Sequence, residues 1–172
     1  MPTRRAIVVG GAGLVAGGAA LMAWRNSGAA NRGDFEIVKT QAEWRKILTS
    51  RQFAVLREEA TEKPYSSPLN AEKRTGVYAC AGCGLDAYSS ADKFDSGTGW
   101  PSFTRSLPDA VRTQPDRKLI IQRTEVHCRR CGGHFGHIFD DGPPPTGKRH
   151  CLNGVALRFK PGVVTGGLSD RG

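Results

Sequence analysis

Residues 119–139, LIIQRTEVHCRRCGGHFGHIF, hold the strongest fold signal in this chain. Residues 119–126 are rich in β-branched side chains and predict a strand. Residues 133–139 predict a second strand, and the pair Cys128-Arg-Arg-Cys131 lies between the two. The segment therefore indicates a β-rich domain whose cysteine pairs sit at connections between strands.

Shorter segments elsewhere fit the same fold class. Residues 76–80 and 155–159 predict further strands, and residues 140–147, DDGPPPTG, predict a rigid connecting loop. The 22 Gly and 10 Pro of the chain favour a turn-rich, β-leaning fold over a helix bundle. We therefore expect a mainly β, mostly antiparallel domain.

Two or three short helices are expected before these strands. Thr40-Gln-Ala-Glu43 has the pattern of a capping box, and Ser50 is the expected cap of a second helix. Residues 61–70 are expected to form a loop. The apolar residues expected to pack on the core are Trp44, Ile47 and Leu48 in the first helix and Phe53, Val55 and Leu56 in the second.

The chain has 172 residues, enough for one globular domain with a sizeable core plus extra segments. We divide it into a targeting segment (1–30), a linker (31–39), a folded domain (40–162) and a tail expected to be disordered (163–172).

The first thirty residues have the composition of a targeting segment. Arg4 and Arg5 precede an uncharged run over residues 6–24, and small residues at 28–30 suit a signal peptidase. The run is only weakly hydrophobic, and the adjacent arginines resemble a twin-arginine export signal, although the residues after Arg5 are not that signal's Phe-Leu-Lys. We expect export to the periplasm, with an uncleaved N-terminal membrane anchor as the alternative.

The formal net charge is +9, and without the three arginines of the first thirty residues it is +6, from 22 basic and 16 acidic residues. Such a charge is compatible with nucleic-acid binding, but a solvated basic face is the commoner explanation. The basic residues are scattered and only 8% of residues are aromatic, so we expect no nucleic-acid partner.

Four of the five cysteines form two CxxC pairs, Cys80 with Cys83 and Cys128 with Cys131. A two-residue gap lets both thiolates of a pair face one metal, so the two pairs predict one closed, structural zinc site per chain. Two disulfides are an alternative for an exported chain. A redox CxxC normally opens a helix after a strand, and neither pair has that context.

Cys151 is left unpaired, in the segment KRHCLNG at residues 148–154. Lys148, Arg149 and His150 precede it, and nearby cations favour thiolate over thiol. This pattern predicts a nucleophile with acid–base helpers, although a free cysteine can also be an apolar filler. The candidate helpers upstream are His134, His137, Asp140 and Asp141.

Together these motifs resemble the methionine-R-sulfoxide reductases, the type B enzymes. The resemblance extends over residues 44–161. Besides the two cysteine pairs, it is carried by DSGTGWPSF at 95–103, GHFGHIF at 133–139, DGP at 141–143, RHCLNG at 149–154 and ALRF at 156–159.

The resemblance implies two small packed antiparallel sheets with helices at the N-terminal end, and a structural zinc away from the active site. It implies that Cys151 attacks the sulfoxide sulfur and becomes a sulfenic acid. His134, His137 and Asp141 map to the family's proton-transfer group, with His137 and Asp141 as the expected pair that relays the proton.

The resemblance also implies roles for four residues near the nucleophile. Arg149 and Asn153 would help set the pKa of the thiol and hold the hydrogen bonds of the site. Trp100 would form the apolar wall that receives the S-methyl group of the substrate, and Phe103 would join it in substrate binding.

Many type B enzymes carry a second, resolving cysteine two residues before this tryptophan, where the present chain has Thr98. The resemblance therefore implies that an external thiol reductant, such as a thioredoxin-like protein, restores Cys151. The implied substrates are oxidised proteins that carry methionine-R-sulfoxide, and the implied state is a monomer.

Three alternatives remain open from the sequence. One is a zinc-ribbon module that binds nucleic acid, and another is an exported zinc scaffold with an inert Cys151. The third is a catalytic zinc enzyme with His134 and His137 as ligands, although four cysteines already supply a closed shell.

Overall fold

The structure, a computed structural model, describes residues 35–117 and 123–162. The predicted targeting segment, the start of the linker, the C-terminal tail and the start of the strand predicted from residue 119 lie outside these described residues. Neither α-helix in the described ranges is long and apolar enough to cross a membrane.

The described part of the chain contains two α-helices and nine β-strands. The helices are α1 (Gln41–Ile47) and α2 (Ser50–Glu58). The strands are β1 (Gly76–Cys80), β2 (Asp86–Ser89), β3 (Lys93–Phe94), β4 (Ser102–Phe103), β5 (Val111–Asp116), β6 (Arg123–Cys128), β7 (His134–Phe139), β8 (Arg149–Leu152) and β9 (Leu157–Pro161).

These strands form two antiparallel sheets. The smaller sheet has the order β2-β1-β9, and the larger has the order β3-β4-β8-β7-β6-β5. Every pairing between neighbours is antiparallel. The predicted fold class, mainly β with two antiparallel sheets and short N-terminal helices, is confirmed.

Aromatic side chains from both sheets pack together in the core. Tyr78 of β1 and Tyr88 of β2 contact Phe103 of β4 with ring centroids 4.9 and 4.8 Å apart. Tyr88 also contacts Phe135 of β7 at 6.3 Å. All four side chains are fully buried, and each such burial stabilises the fold by about 1.5–3 kcal/mol.

Both helices begin with a capping box. Thr40 caps α1 together with Glu43, as predicted. Thr49, and not the predicted Ser50, caps α2, because its hydroxyl accepts the backbone N–H of Gln52 while the side chain of Gln52 accepts the backbone N–H of Thr49.

The predicted apolar faces of the helices are confirmed except at Ile47, which is 51% exposed. The chain leaves helical geometry at Leu48, with φ −106° and ψ 144°, so Leu48 turns to the core in its place. The buried members are Trp44, Leu48, Phe53, Val55 and Leu56.

The sequence patterns do not predict β5 or β8. β5 contains Pro115, which cannot donate a ladder hydrogen bond and is tolerated because β5 is an edge strand. β8 is short and polar, and its approach to β7 requires glycine at position 136. A Cβ there would lie 2.1 Å from the carbonyl oxygen of Cys151.

Candidate active site and metal centre

The four paired cysteines converge where one strand of each sheet ends. Cys80 ends β1 of the smaller sheet, and Cys128 ends β6 of the larger. The four Sγ atoms all lie within 4.8 Å of one another. Cys80 and Cys131 are 3.7 Å apart and Cys83 and Cys128 are 3.5 Å apart, so the cluster links the two sheets.

After each cysteine pair the backbone turns at a glycine whose φ angle is in the left-handed region. Gly84 and Gly132 have φ of 76° and 65°, a conformation that costs glycine little. Their N–H groups donate to the carbonyls of Cys80 and Cys128 at 2.8 and 2.9 Å. These turns bring the second thiol of each pair back to the first.

The cluster fits a tetrahedral metal ion held by thiolates. Zinc–sulfur bonds of about 2.3 Å would separate the sulfurs by about 3.8 Å, close to the observed spacing. All the cysteines are free, and sulfurs 3.5 and 3.7 Å apart are not disulfides, whose bond is about 2.05 Å. Among the described residues no histidine joins this cluster, so the alternative with histidine ligands has no support.

Cys151 lies on β8, between β4 and β7 in the larger sheet. It is directly opposite Ser102 of β4 and His137 of β7. Directly opposed residues of antiparallel strands share one face, with Cβ atoms about 4.5–5.5 Å apart. Strand pairing therefore brings the candidate nucleophile and a candidate acid–base residue side by side.

Arg149 lies two residues before Cys151, on the same face of β8, and interacts with the thiol. It donates two hydrogen bonds to the carboxylate of Asp141, both of 2.8 Å. Its guanidinium also lies 4.5 Å from the ring centroid of Phe139. The side chain of Arg149 is buried, so this cation is held in a fixed position beside Cys151.

The other two basic neighbours of Cys151 do not support the predicted effect on the thiol. His150 is on the opposite face of β8, where its Nδ1 is 3.1 Å from the hydroxyl of Tyr88. Burial lowers the pKa of His150 to about 4, so the ring is neutral at neutral pH. Lys148 forms an ion pair with Asp140 at the surface. The predicted joint action of three cations is therefore wrong, and Arg149 is the one of the three whose charge lowers the pKa of the thiol.

The pKa of Cys151 is raised, chiefly because the thiol is buried. The charge of Arg149 and hydrogen bonds from Thr98 and Arg149 oppose this effect. The hydroxyl of Thr98 is itself 2.8 Å from Oγ of Ser96, which is 2.7 Å from Oγ of Ser102. At rest near neutral pH, Cys151 therefore keeps its proton.

His137 has a different carboxylate partner from the one predicted. Its Nε2 is 2.8 Å from Oδ2 of Asp116 on β5, and the guanidinium of Arg123 donates to the same oxygen at 2.7 Å. Asp141, the predicted partner, pairs with Arg149. Burial lowers the pKa of His137, while the hydrogen bond with Asp116 raises it less, so the imidazole is largely neutral at neutral pH.

His134 is buried beside His137, with ring centroids 5.4 Å apart in an edge-on contact. Its Nδ1 is 2.7 Å from Oε1 of Glu125 on β6. Neither Glu125 nor Asp116 was identified from the sequence, because their partners depend on strand register. The one local signal for Glu125 is a carboxylate within a predicted strand that is rich in β-branched residues.

Trp100 and Asn153 are joined through the backbone of Glu62. The half-buried indole of Trp100 donates to the carbonyl of Glu62 at 3.1 Å. The side-chain oxygen of Asn153 accepts the N–H of Glu62 at 2.9 Å, and its amide donates to the carbonyl of Phe135 at 3.0 Å. Asn153 thus ties the loop that supports Trp100 to β7.

Phe103 does not face the candidate site. It follows Ser102 in β4, and successive side chains of a strand point to opposite faces. Ser102 is opposite Cys151, whereas Phe103 is fully buried against Tyr78 and Tyr88. The predicted contact of Phe103 with the substrate is therefore wrong, and this residue belongs to the core.

An open depression of about 380 Å³ lies beside two residues that act on the thiol. Thr98 and Arg149, which interact with Cys151, line it together with Phe94, Ser96 and Pro143. Cys151 itself is not one of the residues that line this depression.

A free cysteine beside a histidine, in a two-sheet domain with a separate four-cysteine centre, suits a thiol-based enzyme, and comparisons with known proteins identify the family. The SelR domain matches residues 48–161. The peptide methionine sulfoxide reductase MsrB of Methanosarcina barkeri is 51% identical over 125 residues, 72% of this chain and 88% of the relative. The enzyme of the same name from Leifsonia xyli is 50% identical over 134 residues, 77% of this chain and 96% of the relative. The one from Bradyrhizobium diazoefficiens is 47% identical over 129 residues, 74% of this chain and 93% of the relative. The chain belongs to the SelR family, the type B methionine sulfoxide reductases.

Proposed function

We propose that this chain reduces the R-diastereomer of methionine sulfoxide in oxidised proteins, with Cys151 as the nucleophile. The observation that supports this most directly is the position of Cys151, directly opposite His137 of β7 and two residues along β8 from the buried cation of Arg149. Family membership supports the substrate class.

In the first step the sulfur of Cys151 attacks the sulfoxide sulfur. The sulfur–oxygen bond of the sulfoxide breaks, and the oxygen ends on Cys151 as a sulfenic acid. Methionine is reduced by two electrons and Cys151 is oxidised by two. The reaction balances without an outside proton, because the thiol proton ends on the transferred oxygen.

His137 is the residue that moves this proton. A largely neutral imidazole can accept the proton of Cys151 and deliver it to the departing oxygen, and Asp116 holds the ring at 2.8 Å. Asp141 then acts indirectly, because it fixes Arg149, whose charge stabilises the thiolate that forms during attack.

Trp100 receives the S-methyl group of the substrate in this proposal. Sulfur and methyl groups pack favourably against aromatic rings. The hydrogen bond to the carbonyl of Glu62, which Asn153 holds in turn, fixes the orientation of the indole.

The sulfenic acid is reduced by an external thiol or dithiol protein, such as a thioredoxin-like partner. The chain has five cysteines, and four of them form the metal cluster. One external thiol condenses with the sulfenic acid, releases water and forms a mixed disulfide. A second thiol attacks that disulfide and releases Cys151 as a thiol.

Zinc is the metal we propose for the four-cysteine cluster, one ion per chain. Four thiolates form a closed shell that leaves no position for substrate, so the ion stabilises the fold by holding Cys80, Cys83, Cys128 and Cys131 together. Cys151 is not part of this shell.

We further propose that the protein is a monomer exported to the periplasm through its twin-arginine-like segment. The pair Arg4-Arg5 before a weakly hydrophobic, glycine-rich run supports this location. Cell fractionation with Arg4→Lys and Arg5→Lys together tests it. Retention of the double variant in the cytoplasm is expected, and unchanged distribution would contradict export by this route.

Trapping the intermediate tests the proposed chemistry. Reduced protein mixed with a methionine-R-sulfoxide peptide and no reductant should release about one methionine per chain. Dimedone should then label Cys151, as peptide mass spectrometry would show. Methionine release with a disulfide between Cys151 and a cluster cysteine would contradict the external recycling step.

A further inference from the structure

Glu125 is a carboxylate buried beside the active site that has no part in the reaction described above. Its exposed fraction is 4%. It lies on β6, directly opposite His137 of β7. Burying a charged carboxylate is unfavourable unless partners compensate it, so the surroundings of Glu125 indicate what it does.

Each carboxylate oxygen of Glu125 has a hydrogen-bond partner. Oε1 is 2.7 Å from Nδ1 of His134. Oε2 accepts a hydrogen bond from the side-chain amide of Gln114 and is 3.6 Å from Nδ1 of His127. Burial raises the pKa of Glu125, but the neighbouring His127 and the hydrogen-bonded His134 lower it by more, so the net shift is downward and the carboxylate is ionised.

The strand register connects this carboxylate to the nucleophile. Gln114, Glu125, His137, Cys151 and Ser102 are directly opposite one another in turn, across β5, β6, β7, β8 and β4. They form a polar row on one face of the larger sheet. His134 joins this row through its edge-on contact with His137.

An ionised carboxylate only accepts hydrogen bonds, so it determines where His134 carries its proton. The short contact requires a proton on Nδ1 of His134. The other ring nitrogen, Nε2, is buried and has no hydrogen-bond partner within the described residues. A buried polar atom without a partner beside a reaction centre is a candidate for contact with a reacting group.

We propose that Glu125 is a positioning residue that acts through His134: it holds the proton of His134 on Nδ1 and keeps Nε2 available to the reacting group beside His137. This inference rests on the proposed function. A carboxylate that fixes the tautomer of a catalytic imidazole is a known device, and losing it can slow a reaction by up to about 10⁴-fold.

A purely structural role for Glu125, tying β6 to β7, predicts a loss of stability without a specific effect on His134. The first test is therefore the tautomer itself. Long-range ¹H–¹⁵N NMR of the metal-loaded full chain with ¹⁵N-labelled histidine should show His134 protonated on Nδ1. Protonation on Nε2 alone would overturn the proposal.

The second test is a double-mutant cycle on one round of sulfoxide reduction by pre-reduced enzyme. Glu125→Gln keeps the size of the side chain and removes its charge. We expect the single-turnover rate to fall by roughly 10-fold or more, with KM changed by less than about 3-fold. In a His134→Asn background the same change should cost less than about 2-fold, because the path through His134 is already lost. Additive losses would overturn the proposal.

His127→Gln is the matched control, because it alters the other imidazole near the same carboxylate. Its ring packs against Phe35, with centroids 5.7 Å apart, and the proposed reaction assigns it no step. We expect its rate to stay within about 2-fold of wild type, in line with substitutions away from reacting groups. An equal loss in His127→Gln would indicate that disturbing the cluster is enough, and would overturn the specific role of Glu125.

If Glu125→Gln does not fold, Glu125→Asp replaces it, because it keeps the charge and the shorter side chain withdraws the carboxylate from Nδ1 of His134. A rate loss that vanishes in the His134→Asn background supports the proposal, and an unchanged rate overturns it.

A wild-type chain that reduces no sulfoxide would refute the proposed function. A wild type that turns over beside a fully active Glu125→Gln would refute only this inference.

Discussion

The thiol of Cys151 is governed by opposing effects from individual residues. Burial raises its pKa, and Thr98 and Arg149 lower it. Thr98→Val should therefore raise the pKa further and slow alkylation by iodoacetamide near neutral pH by roughly 3- to 10-fold, equivalent to about 0.5–1 pKa unit. Thr98→Ser keeps a hydroxyl and should react at nearly the wild-type rate. Faster alkylation of Thr98→Val would contradict the assigned hydrogen bond.

His150 should make stability fall in mild acid. Its pKa is lowered by burial from 6.5 to about 4 in the folded chain. Between these values the unfolded chain binds a proton that the folded chain does not, so stability decreases as the pH falls through this interval. Relative to His150→Gln, wild type should lose about 2 kcal/mol of unfolding free energy between about pH 7 and pH 5 in urea denaturation. The same pH dependence in both proteins would contradict this assignment.

Among the elements, the contact between β7 and β8 holds the site together. Gly136 of β7 passes so close to β8 that a Cβ would lie 2.1 Å from the carbonyl oxygen of Cys151. Gly136→Ala should destabilise the fold by about 2 kcal/mol or more and lower activity, because the strands must separate. Gly82→Ala is the control, since its Cβ would meet no atom closer than 3.6 Å. Equal stability of both variants, measured by thermal unfolding, would contradict this close approach.

At the scale of the whole molecule, the four-cysteine centre joins the two sheets. Removing the metal with a chelator should lower Tm by about 10 °C or more, because the ion links the ends of β1 and β6. Cys83→Ser should show the same loss, whereas Cys151→Ser should keep about one metal per chain and a Tm close to wild type. Complete metal release without a change in Tm would contradict a structural centre.

Local patterns in the sequence are enough to predict the cysteine cluster and the capping box at Thr40, and to select the segment around Cys151 as the candidate nucleophile. Each of these is a spacing rule among neighbouring residues. Asp116 and Glu125 are not predictable in this way, because their partners His137 and His134 lie on another strand and are set by sheet register.

The sequence patterns also do not show which face of β4 and β8 each side chain occupies. Ser102 and Phe103 are adjacent, yet one is opposite the thiol and the other is in the core. His150 is adjacent to Cys151 and likewise packs on the far side of β8, against Tyr88. Because β4 and β8 were not predicted as strands, their alternation could not be applied to these residues.

Stereospecific turnover tests the central claim most directly. Peptides that carry resolved R- or S-methionine sulfoxide are incubated with the metal-loaded chain and dithiothreitol, with Cys151→Ser in parallel. We expect reduction of the R form alone and no reduction of either form by Cys151→Ser. Turnover that survives in Cys151→Ser, or no turnover by a folded wild type with its metal bound, would contradict it.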